Sequence, residues 1–437
     1  MAGQNISDTI GDSEMKELIE HDNTIKAFRS HCQRAITAEE TLERVRSRFA
    51  AVGLTRLADI TGLDHLGIPV ILSTRPQAGY LSVDGGKGFT QAAAMASAAM
   101  ECFERHAGEN TQLDEFSETY ADLPEDKRIP EIDLPLSRNS LFHPLLPESW
   151  IWAENLIDGE RIAVPRIMAR LDRHRHCRTS LFPFSVSSNG LNSGNTKTEA
   201  LAGAIYEVIE RDACTCFQHA WDHGIPPRRL HLATANSDEV QILLDKIEAS
   251  GIIPVVLDCT VDTQVPTFQA YLCDLNNPQI GLYNGYGTHL NPQVALLRAL
   301  CEAAQSRLVY ISGSRDDCFD QKQKLISNTE QANEELLSLP ELVHFQDYHD
   351  LSSDTFEADC RILRERLKSV GIRQILTVDM THPNVGVDVC RVIIPSLEGA
   401  MLEDYVVGRR AEGWLNKCLY DTNDISKQAK IGGNRRT

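Results

Sequence analysis

Apolar and polar residues follow two different periods along this chain, which predicts a mixed α/β protein. Residues 37–52 have the helical period, and Thr37 with Glu40 predicts a capping box at the start of that helix. Asp158 and Gly159 predict a hairpin turn between two strands. Short apolar runs bounded by glycine, proline and polar residues predict the β-strands, at 67–76, 150–165, 252–260, 267–274, 374–380 and 387–395.

The remaining segments divide the chain into one large domain and two ends. Residues 110–150 are acidic and interrupted by prolines, which predicts a long excursion over the surface, and residues 315–340 are polar and helical in character. Chain ends of polar composition are often poorly ordered. We therefore expect a flexible N-terminal segment at 1–30, one domain at 31–410 and a C-terminal tail at 411–437, with poor order expected after about Leu415.

Composition narrows the classes of function. The chain has 437 residues, 42% hydrophobic residues and a formal net charge of −19, which is typical of a globular protein and argues against a nucleic-acid or anionic-membrane partner. No apolar run approaches the roughly 20 residues of a membrane span, and the acidic N-terminus has no signal-peptide core. Twelve cysteines without a paired spacing indicate reduced thiols. We therefore expect a cytoplasmic protein.

An internal repeat is the most informative feature of the sequence. Three segments share the pattern Ala-x-x-x-Ala-x-x-Glu-x-x-Glu/Gln, and each follows a glycine. The copies are Ala94, Ala98, Glu101, Glu104; Ala200, Ala204, Glu207, Glu210; and Ala295, Ala299, Glu302, Gln305. A Gly-x-Thr precedes the first two copies and an arginine follows them, whereas the third opens at Gly287 with two extra residues before its alanines.

On a helix these positions form one stripe, so each glutamate continues a row of alanines. A solvated face is the usual interpretation of helical glutamates, but three copies on alanine rows favour an inward-facing stripe where helices approach closely. Buried carboxylates are costly to ionise without compensating cations. The five glutamates therefore predict Mg²⁺ ions that accompany nucleotide phosphates. Arginines close to the stripes would pair with phosphate oxygens: Arg105, Arg211, Arg298 and Arg307.

Two other nucleotide motifs are excluded by their sequence. The GGKG stretch at 85–88 lacks the first glycine of a P-loop, since Leu81 takes that position, and Lys87 is followed by glycine instead of Ser or Thr. The GYG stretch at 285–287 lacks the third glycine of a dinucleotide fingerprint.

The segments 188–211, 86–105 and 298–307 resemble the three ATP-site motifs of the YcaO family, and the likeness spans roughly residues 34–400. The resemblance implies an α/β fold with short, mostly antiparallel strands, in which repeated helix motifs surround an ATP site. The implied metal ligands are Glu101, Glu104, Glu199, Glu207, Glu210 and Glu302. The implied nucleotide contacts are Asn195, Glu199, Arg211 and Arg298, with Arg34 and Thr41 at the spacing of a family Lys–Ser pair. Arg211 and Arg298 are the expected catalytic residues, which neutralise developing charge.

The family resemblance also implies a reaction, the phosphorylation of a peptide-backbone amide oxygen by ATP. The stretch 53–70 followed by Arg75-Pro76 is similar to the branch that works with a TfuA partner and is linked to thioamide formation, although Ser396 departs from the family's Pro-Gly-Leu-Glu. Three hypotheses stay open: thioamide formation with an external sulfur donor, azoline formation, and a nucleotide-binding accessory subunit. Retention of the metal-ligand positions argues against the accessory subunit.

The C-terminal sequence favours the thioamide, because no proline follows Pro395 and the tail KIGGNRRT is basic and flexible, whereas azoline-forming relatives end in a proline-rich tail. No appended segment for a leader peptide is recognised. The expected partners are therefore a peptide or protein substrate, a TfuA-like protein, a sulfur donor and, by resemblance alone, a second copy of the chain.

Two clusters of Cys and His residues are weaker candidates. Cys214 and Cys216 would point apart on a helix, about 200° around its axis, so a zinc site shared with His219 is not expected. The basic stretch with His174, His176 and Cys177 is interpreted as a solvated loop, with substrate contact as the alternative.

Overall fold

A computed structural model describes residues 14–171, 183–184, 187–315, 328–399 and 405–420 of the chain. The helices are α1 Glu14–His21, α2 Ala38–Arg46, α3 Gln91–Asn110, α4 Arg166–Ala169, α5 Lys197–Asp222, α6 Asp238–Ala249, α7 Pro292–Ser312, α8 Thr329–Ser338, α9 Phe356–Ser369 and α10 at 409–420. The strands are β1 Arg56–Asp59, β2 Val70–Thr74, β3 Val83–Lys87, β4 Glu115–Thr119, β5 Pro147–Asn155, β6 Arg161–Pro165, β7 Leu191–Gly194, β8 Arg228–His231, β9 Ile253–Asp258, β10 Thr267–Cys273, β11 Tyr283–Thr288, β12 Glu341–His344, β13 Leu376–Asp379 and β14 Asp388–Ile393.

These strands form three sheets. The smallest has the order β1-β2-β3, the second β11-β10-β9-β8-β12, and the third β4-β5-β13-β14-β7 with β6 paired to β5. Among the described strands only the β12–β8 pair is parallel. The mixed α/β class with mostly antiparallel strands is therefore confirmed. None of the helices in the described ranges has the length and apolar character needed to cross a lipid bilayer.

Local signals in the sequence correspond to observed elements. Thr37 and Glu40 form the capping box of α2, and the Asp158–Gly159 turn lies between β5 and β6, which pair as a hairpin. The acidic excursion contributes β4, an edge strand that pairs with β5. The polar helix expected near 315–340 is present as α8, while residues 316–327 lie outside the described residues.

Both chain ends contain more packed structure than their composition indicates. In α1, Met15 and Ile19 are buried, and Glu154 accepts hydrogen bonds from the first turn of the helix. In α10, Arg410 pairs with Asp212 at 3.2 Å and also with Asp262. Tertiary contacts therefore hold α1 and the start of α10 in place, although the composition of both ends predicts poor order. The division into one domain and two ends stays a prediction.

The sequence repeat is a repeated strand–cap–helix unit: β3–α3, β7–α5 and β11–α7. Thr90, Thr196 and Asn291 occupy the same N-cap position, and each side chain accepts a hydrogen bond from the backbone N–H three residues later. The two extra residues of the third copy lie between the end of β11 and Asn291. One local structure therefore explains all three copies of the pattern.

The alanine rows pack against glycines of the preceding strand and not, as expected, against another helix. A Cβ at Gly86 of β3 would overlap the backbone of Ala98, and one at Gly285 of β11 would overlap that of Ala303. Because glycine has no side chain and alanine has only a methyl group, the strand and helix backbones approach more closely than larger residues would allow.

The three units close into a ring. Besides its own strand, α3 contacts β7, α5 contacts β11 and α7 contacts β3. Side chains bridge these contacts, since Glu104 accepts a hydrogen bond from the Ser193 backbone N–H at 3.1 Å and Gln305 donates to the Gly85 carbonyl. The ring therefore directs the carboxylate end of each helix stripe toward the next strand.

We expect Gly86→Ala to lower the free energy of unfolding by at least about 2 kcal/mol, because the added methyl group meets backbone that cannot move alone. Gly62→Ala is the control, since a Cβ there has no neighbour within 4 Å. Denaturant unfolding of both variants measures the difference. Equal midpoints for the two variants would show that the strand–helix approach does not limit stability.

Candidate functional site

The ring brings the five glutamates of the repeat together in two groups. In the first group, Glu101 and Glu207 lie near enough to Glu104 to raise its pKa. In the second group, Glu302 lies near enough to Glu210 to raise the pKa of Glu210. Glu104 and Glu210 are only 6% and 4% exposed, so the stripe faces inward as its alanines predict. The role of these side chains as metal ligands stays a prediction.

Burial and like charge oppose ionisation in both groups. Burial, followed by the Glu101 carboxylate, raises the pKa of Glu104 well above its usual value. Burial and then Glu302 raise the pKa of Glu210 to about 7, and Glu210 Oε2 has no hydrogen-bond partner among the described residues. The site therefore holds carboxylates whose charge is incompletely compensated by the protein.

Cations lie directly against three of these carboxylates. Arg105 pairs with Glu101 at 2.6 Å, Lys87 pairs with Glu302 at 2.6 Å, and Arg211 lies 3.9 Å from Glu207. Although burial opposes it, the field of Lys87 lowers the pKa of Glu302.

Lys87 was missed as a site residue because the sequence analysis considered it only within the GGKG stretch. It is the last residue of β3, at the register position of Ser193 in β7 and Tyr286 in β11. The repeat itself could have identified it, since Ser193 and Tyr286 also hydrogen-bond to stripe glutamates through their backbone N–H groups.

A separate set of residues surrounds the N-terminus of α5. Arg34 pairs with Glu199 at 3.2 Å, and Thr41 donates a hydrogen bond to Asn195 Oδ1 at 3.2 Å. Asn195 lies 3.4 Å from Glu199 through its side-chain nitrogen. The structure thus brings together all four of the residues expected to contact the nucleotide at this end.

Glu199 lies apart from the two carboxylate groups. The helical rise separates it from Glu207 by about 12 Å along α5, and it already accepts hydrogen bonds from Arg34 and from the Ala35 backbone. Its prediction as a metal ligand therefore stays a prediction, and its prediction as a nucleotide contact is compatible with this position.

The two arginines predicted on α7 differ in their surroundings. Arg307 is fully buried, with side-chain nitrogens 2.5 Å from Asp64 and 2.9 Å from Asp274. Its prediction as a phosphate ligand is wrong, because two aspartates already neutralise it. Arg298 is half-buried, its Nε has no hydrogen-bond partner among the described residues, and its charge acts on Glu210 and Glu302.

Arg391 on β14 is a further residue of the first group that sequence reasoning missed. It donates one hydrogen bond, from Nη2 to the Ser187 carbonyl at 2.9 Å, and its Nε and Nη1 are buried without partners among the described residues. Burial lowers the pKa of Arg391 to about 10, although Glu207 opposes this effect. The residue lies within an apolar run that predicts only a core strand, so no local signal distinguishes it.

The donor set fits Mg²⁺, although the carboxylates are not gathered as ligands in this conformation. Within the described ranges, no three Asp, Glu, His or Cys side chains lie close enough to hold a metal ion. The groups nevertheless offer only oxygen donors, which Mg²⁺ prefers. The partnerless Glu210 Oε2 and the raised pKa of Glu104 indicate that a divalent cation would be favoured here.

The Cys and His candidates have other contacts. Cys216 lies 3.8 Å from Asp212 through its sulfur, and His219 lies 3.2 Å from Glu412. The stretch with His174, His176 and Cys177 lies outside the described residues.

Comparison with known proteins gives a family match over most of the chain. Residues 85–398 match the model of the YcaO cyclodehydratases, which is described as ATP- and Mg²⁺-binding. An uncharacterized protein of Methanothermobacter thermautotrophicus is 36% identical over 386 residues, covering 86% of this chain and 98% of the relative. A Rhizobium leguminosarum protein named for its place in the tfuA 3′ region is 33% identical over 391 residues, covering 86% and 92%.

Solved structures share the fold. A heterocyclase in complex with substrate and cofactor matches with a TM-score of 0.74 and 21% identity, covering 92% of this chain. This chain spans 59% of that protein's length. YcaO from Methanopyrus kandleri, bound with AMPPCP and Mg²⁺, matches with a TM-score of 0.68 and 22% identity, covering 88% of this chain and all of that one.

We expect Glu207→Gln to remove the stabilisation by Mg²⁺ and ATP while leaving the ligand-free protein at least as stable. The substitution removes one charge from a buried group of like charges. For the unchanged protein, ligand at a hundred times its Kd adds about 2.7 kcal/mol to the free energy of unfolding. Thermal unfolding with and without Mg²⁺ and ATP measures both effects.

Glu365→Gln, an exposed change on α9, is the control and should retain the ligand-induced stabilisation. Full retention of that stabilisation in Glu207→Gln would exclude this carboxylate from the binding site.

Proposed function

Because this chain belongs to the YcaO family of ATP-using enzymes, we propose that it activates a peptide-backbone amide by transferring the terminal phosphoryl group of ATP to the amide oxygen. The observation that carries this proposal is the ring of three strand–helix units, which gathers two groups of buried and half-buried glutamates with cations close to each. Such a site suits phosphoryl transfer, in which the protein positions the reactants and neutralises charge.

In this proposal, different residues contact different parts of the Mg²⁺–ATP complex according to their position in the ring. Arg34, Thr41, Asn195 and Glu199 form the nucleoside end, at the start of α5. The two carboxylate groups would hold the Mg²⁺ ions, which shield the charge of the phosphate oxygens. Lys87, Arg211 and Arg298 lie where they can exchange glutamate contacts for contacts with phosphate oxygens.

The reaction balances without an oxidant or a reductant. The amide oxygen forms a bond to the terminal phosphorus, and the bond from that phosphorus to ADP breaks. A nucleophile then adds to the amide carbon, and the former amide oxygen leaves as phosphate. Sulfide as nucleophile gives a thioamide, whereas a neighbouring Cys, Ser or Thr side chain gives an azoline.

We favour the thioamide as the product. Support comes from the sequence at 53–76, which is similar to the TfuA-associated branch, and from the relative named for the tfuA 3′ region. A TfuA-like partner and an external sulfur donor belong to this proposal. A homodimer stays a prediction from resemblance alone.

Azoline formation is the second candidate, because the matched family model is named for cyclodehydratases. Both candidates require the same phosphorylated amide. They differ in the nucleophile, so the ATP site does not distinguish them. An accessory subunit without chemistry would have no need of the ionisable groups that the ring buries.

We expect the chain, given a peptide substrate, ATP, Mg²⁺, sulfide and a TfuA-like partner, to exchange an oxygen of the peptide for sulfur. Mass spectrometry separates this mass increase from the loss of one water that azoline closure produces. Omitting sulfide is the control, and it should prevent product formation. Loss of water that is independent of sulfide would contradict the thioamide and favour the azoline.

Under the same conditions, Glu207→Ala should abolish both substrate-dependent ATP turnover and product formation, since it removes a carboxylate from the first group. Release of ADP measures turnover, and Glu365→Ala serves as the matched control. Turnover by Glu207→Ala at the rate of the unchanged protein would contradict the proposed ATP site.

A further inference from the structure

Two guanidinium groups face the first carboxylate group from different elements. Arg105 is on α3, directly after Glu104, and Arg391 is on β14. The Arg105 side chain is 12% exposed and Arg391 is 4% exposed. They are near enough that the charge of Arg105 disfavours that of Arg391. Arg105 has two carboxylates at ion-pair distance, Glu101 at 2.6 Å and Asp84 at 3.5 Å. Arg391 instead has a like-charged neighbour, and an anion between the two guanidinium groups would offset that repulsion.

Part of their hydrogen-bonding capacity is unused. Arg105 donates from Nε and Nη2 to Glu101 at 2.9 and 2.6 Å, but its Nη1 is buried without a partner among the described residues. Arg391 uses only Nη2 there, which leaves Nε and Nη1. Buried donors without acceptors are costly, and each such group in a native protein needs an explanation.

Other buried arginines of the chain show the contrast. Arg307 has two aspartates within ion-pair distance, and Arg410 likewise has two. Arg391 has no carboxylate at ion-pair distance within the described part of the chain, although Glu207 and Glu104 act on it from farther away. The missing anion is therefore best supplied by a ligand.

The position of this pair relative to the nucleoside end indicates which anion it receives. The charges of Arg298 and Arg34 both act on Cys32 and His289, so Arg298 lies close to the nucleoside end. Arg105 and Arg391 instead lie with the first carboxylate group, containing Glu101, Glu104 and Glu207. Along α5, Glu207 lies about 12 Å from Glu199 at the nucleoside end. A nucleotide bound at that end would therefore bring its phosphates, and not its nucleoside, to these two arginines.

We propose, on the basis of the proposed function, that Arg105 and Arg391 bind the terminal phosphoryl group of ATP, the group that is transferred. Their unused N–H groups then donate charge-assisted hydrogen bonds to the equatorial phosphoryl oxygens. Both backbones are fixed, one in a long helix and the other in a strand that pairs with β13 and β7. The pair is thus preorganised for charge that develops during transfer.

The test compares affinities for ATP and ADP, both with Mg²⁺, by calorimetry. Arg391→Met should weaken ATP binding at least tenfold while changing ADP binding less than threefold, because only ATP carries the terminal phosphoryl group. Arg391→Lys should recover part of the loss, and it keeps the test informative if the methionine variant does not fold. Arg364→Met is the matched control, since Arg364 also has a buried Nε without a hydrogen-bond partner among the described residues but forms ion pairs with Glu20 and Glu365 outside the ring.

The outcomes separate this inference from the function on which it rests. The inference would be overturned if Arg391→Met lost ATP and ADP affinity equally. It would also be overturned if the ratio of the two affinities stayed unchanged and only the thermal stability fell, as expected for Arg364→Met. Either result would leave the proposed function standing. Failure of the unchanged chain to bind either nucleotide would overturn both. A selective loss of ATP affinity that lysine partly restores supports the phosphoryl contact.

Discussion

The arrangement of the site depends on like charges held together inside the protein. The ring of three strand–helix units collects glutamates that would repel one another if they were all ionised and unpaired. The protein limits this cost with cations, as the contacts of Glu101 with Arg105 and of Glu302 with Lys87 show. Compensation is incomplete at Glu210, whose pKa is raised to about 7. A site in this condition favours the binding of added cations, because they offset carboxylate charge that the protein leaves uncompensated.

Close backbone approach makes this concentration of charge possible. Glycines such as Gly86 and Gly285 allow each helix to lie directly on its own strand, and the same helix then reaches the next strand of the ring. A larger side chain at either position would move the helix outward and separate the carboxylates. Residues without functional groups thus determine the geometry of the charged ones, which explains why alanine, glycine and glutamate recur together in the sequence.

Sequence reasoning identified the features that are local or repeated. The N-cap Thr37, the helix stripes and the inward direction of the glutamates follow from spacing, and the resemblance to YcaO motifs identified the residues around Asn195. Reasoning from spacing placed Arg307 in the site because it lies near Glu302 in sequence, but on the helix it points toward Asp64 and Asp274. Arg391 could not be found in this way. It lies in an apolar strand distant in sequence, and the pairing of β14 with β7 and its packing on α5 bring it beside the ring.

The balance of charge constrains how ligands enter the site. Six carboxylates, the five glutamates of the repeat and Asp84 beside Arg105, face five cations, Lys87, Arg105, Arg211, Arg298 and Arg391, so the acidic groups outnumber the basic ones by one. Mg²⁺ alone would meet cations that already hold the carboxylates, and ATP alone would bring its negative charge among glutamates. If the carboxylates held the metal and the cations released from them contacted the phosphates, neither set of charges would be left uncompensated. With the proposed ligands, the same groups would favour Mg²⁺ and ATP bound together over either component alone.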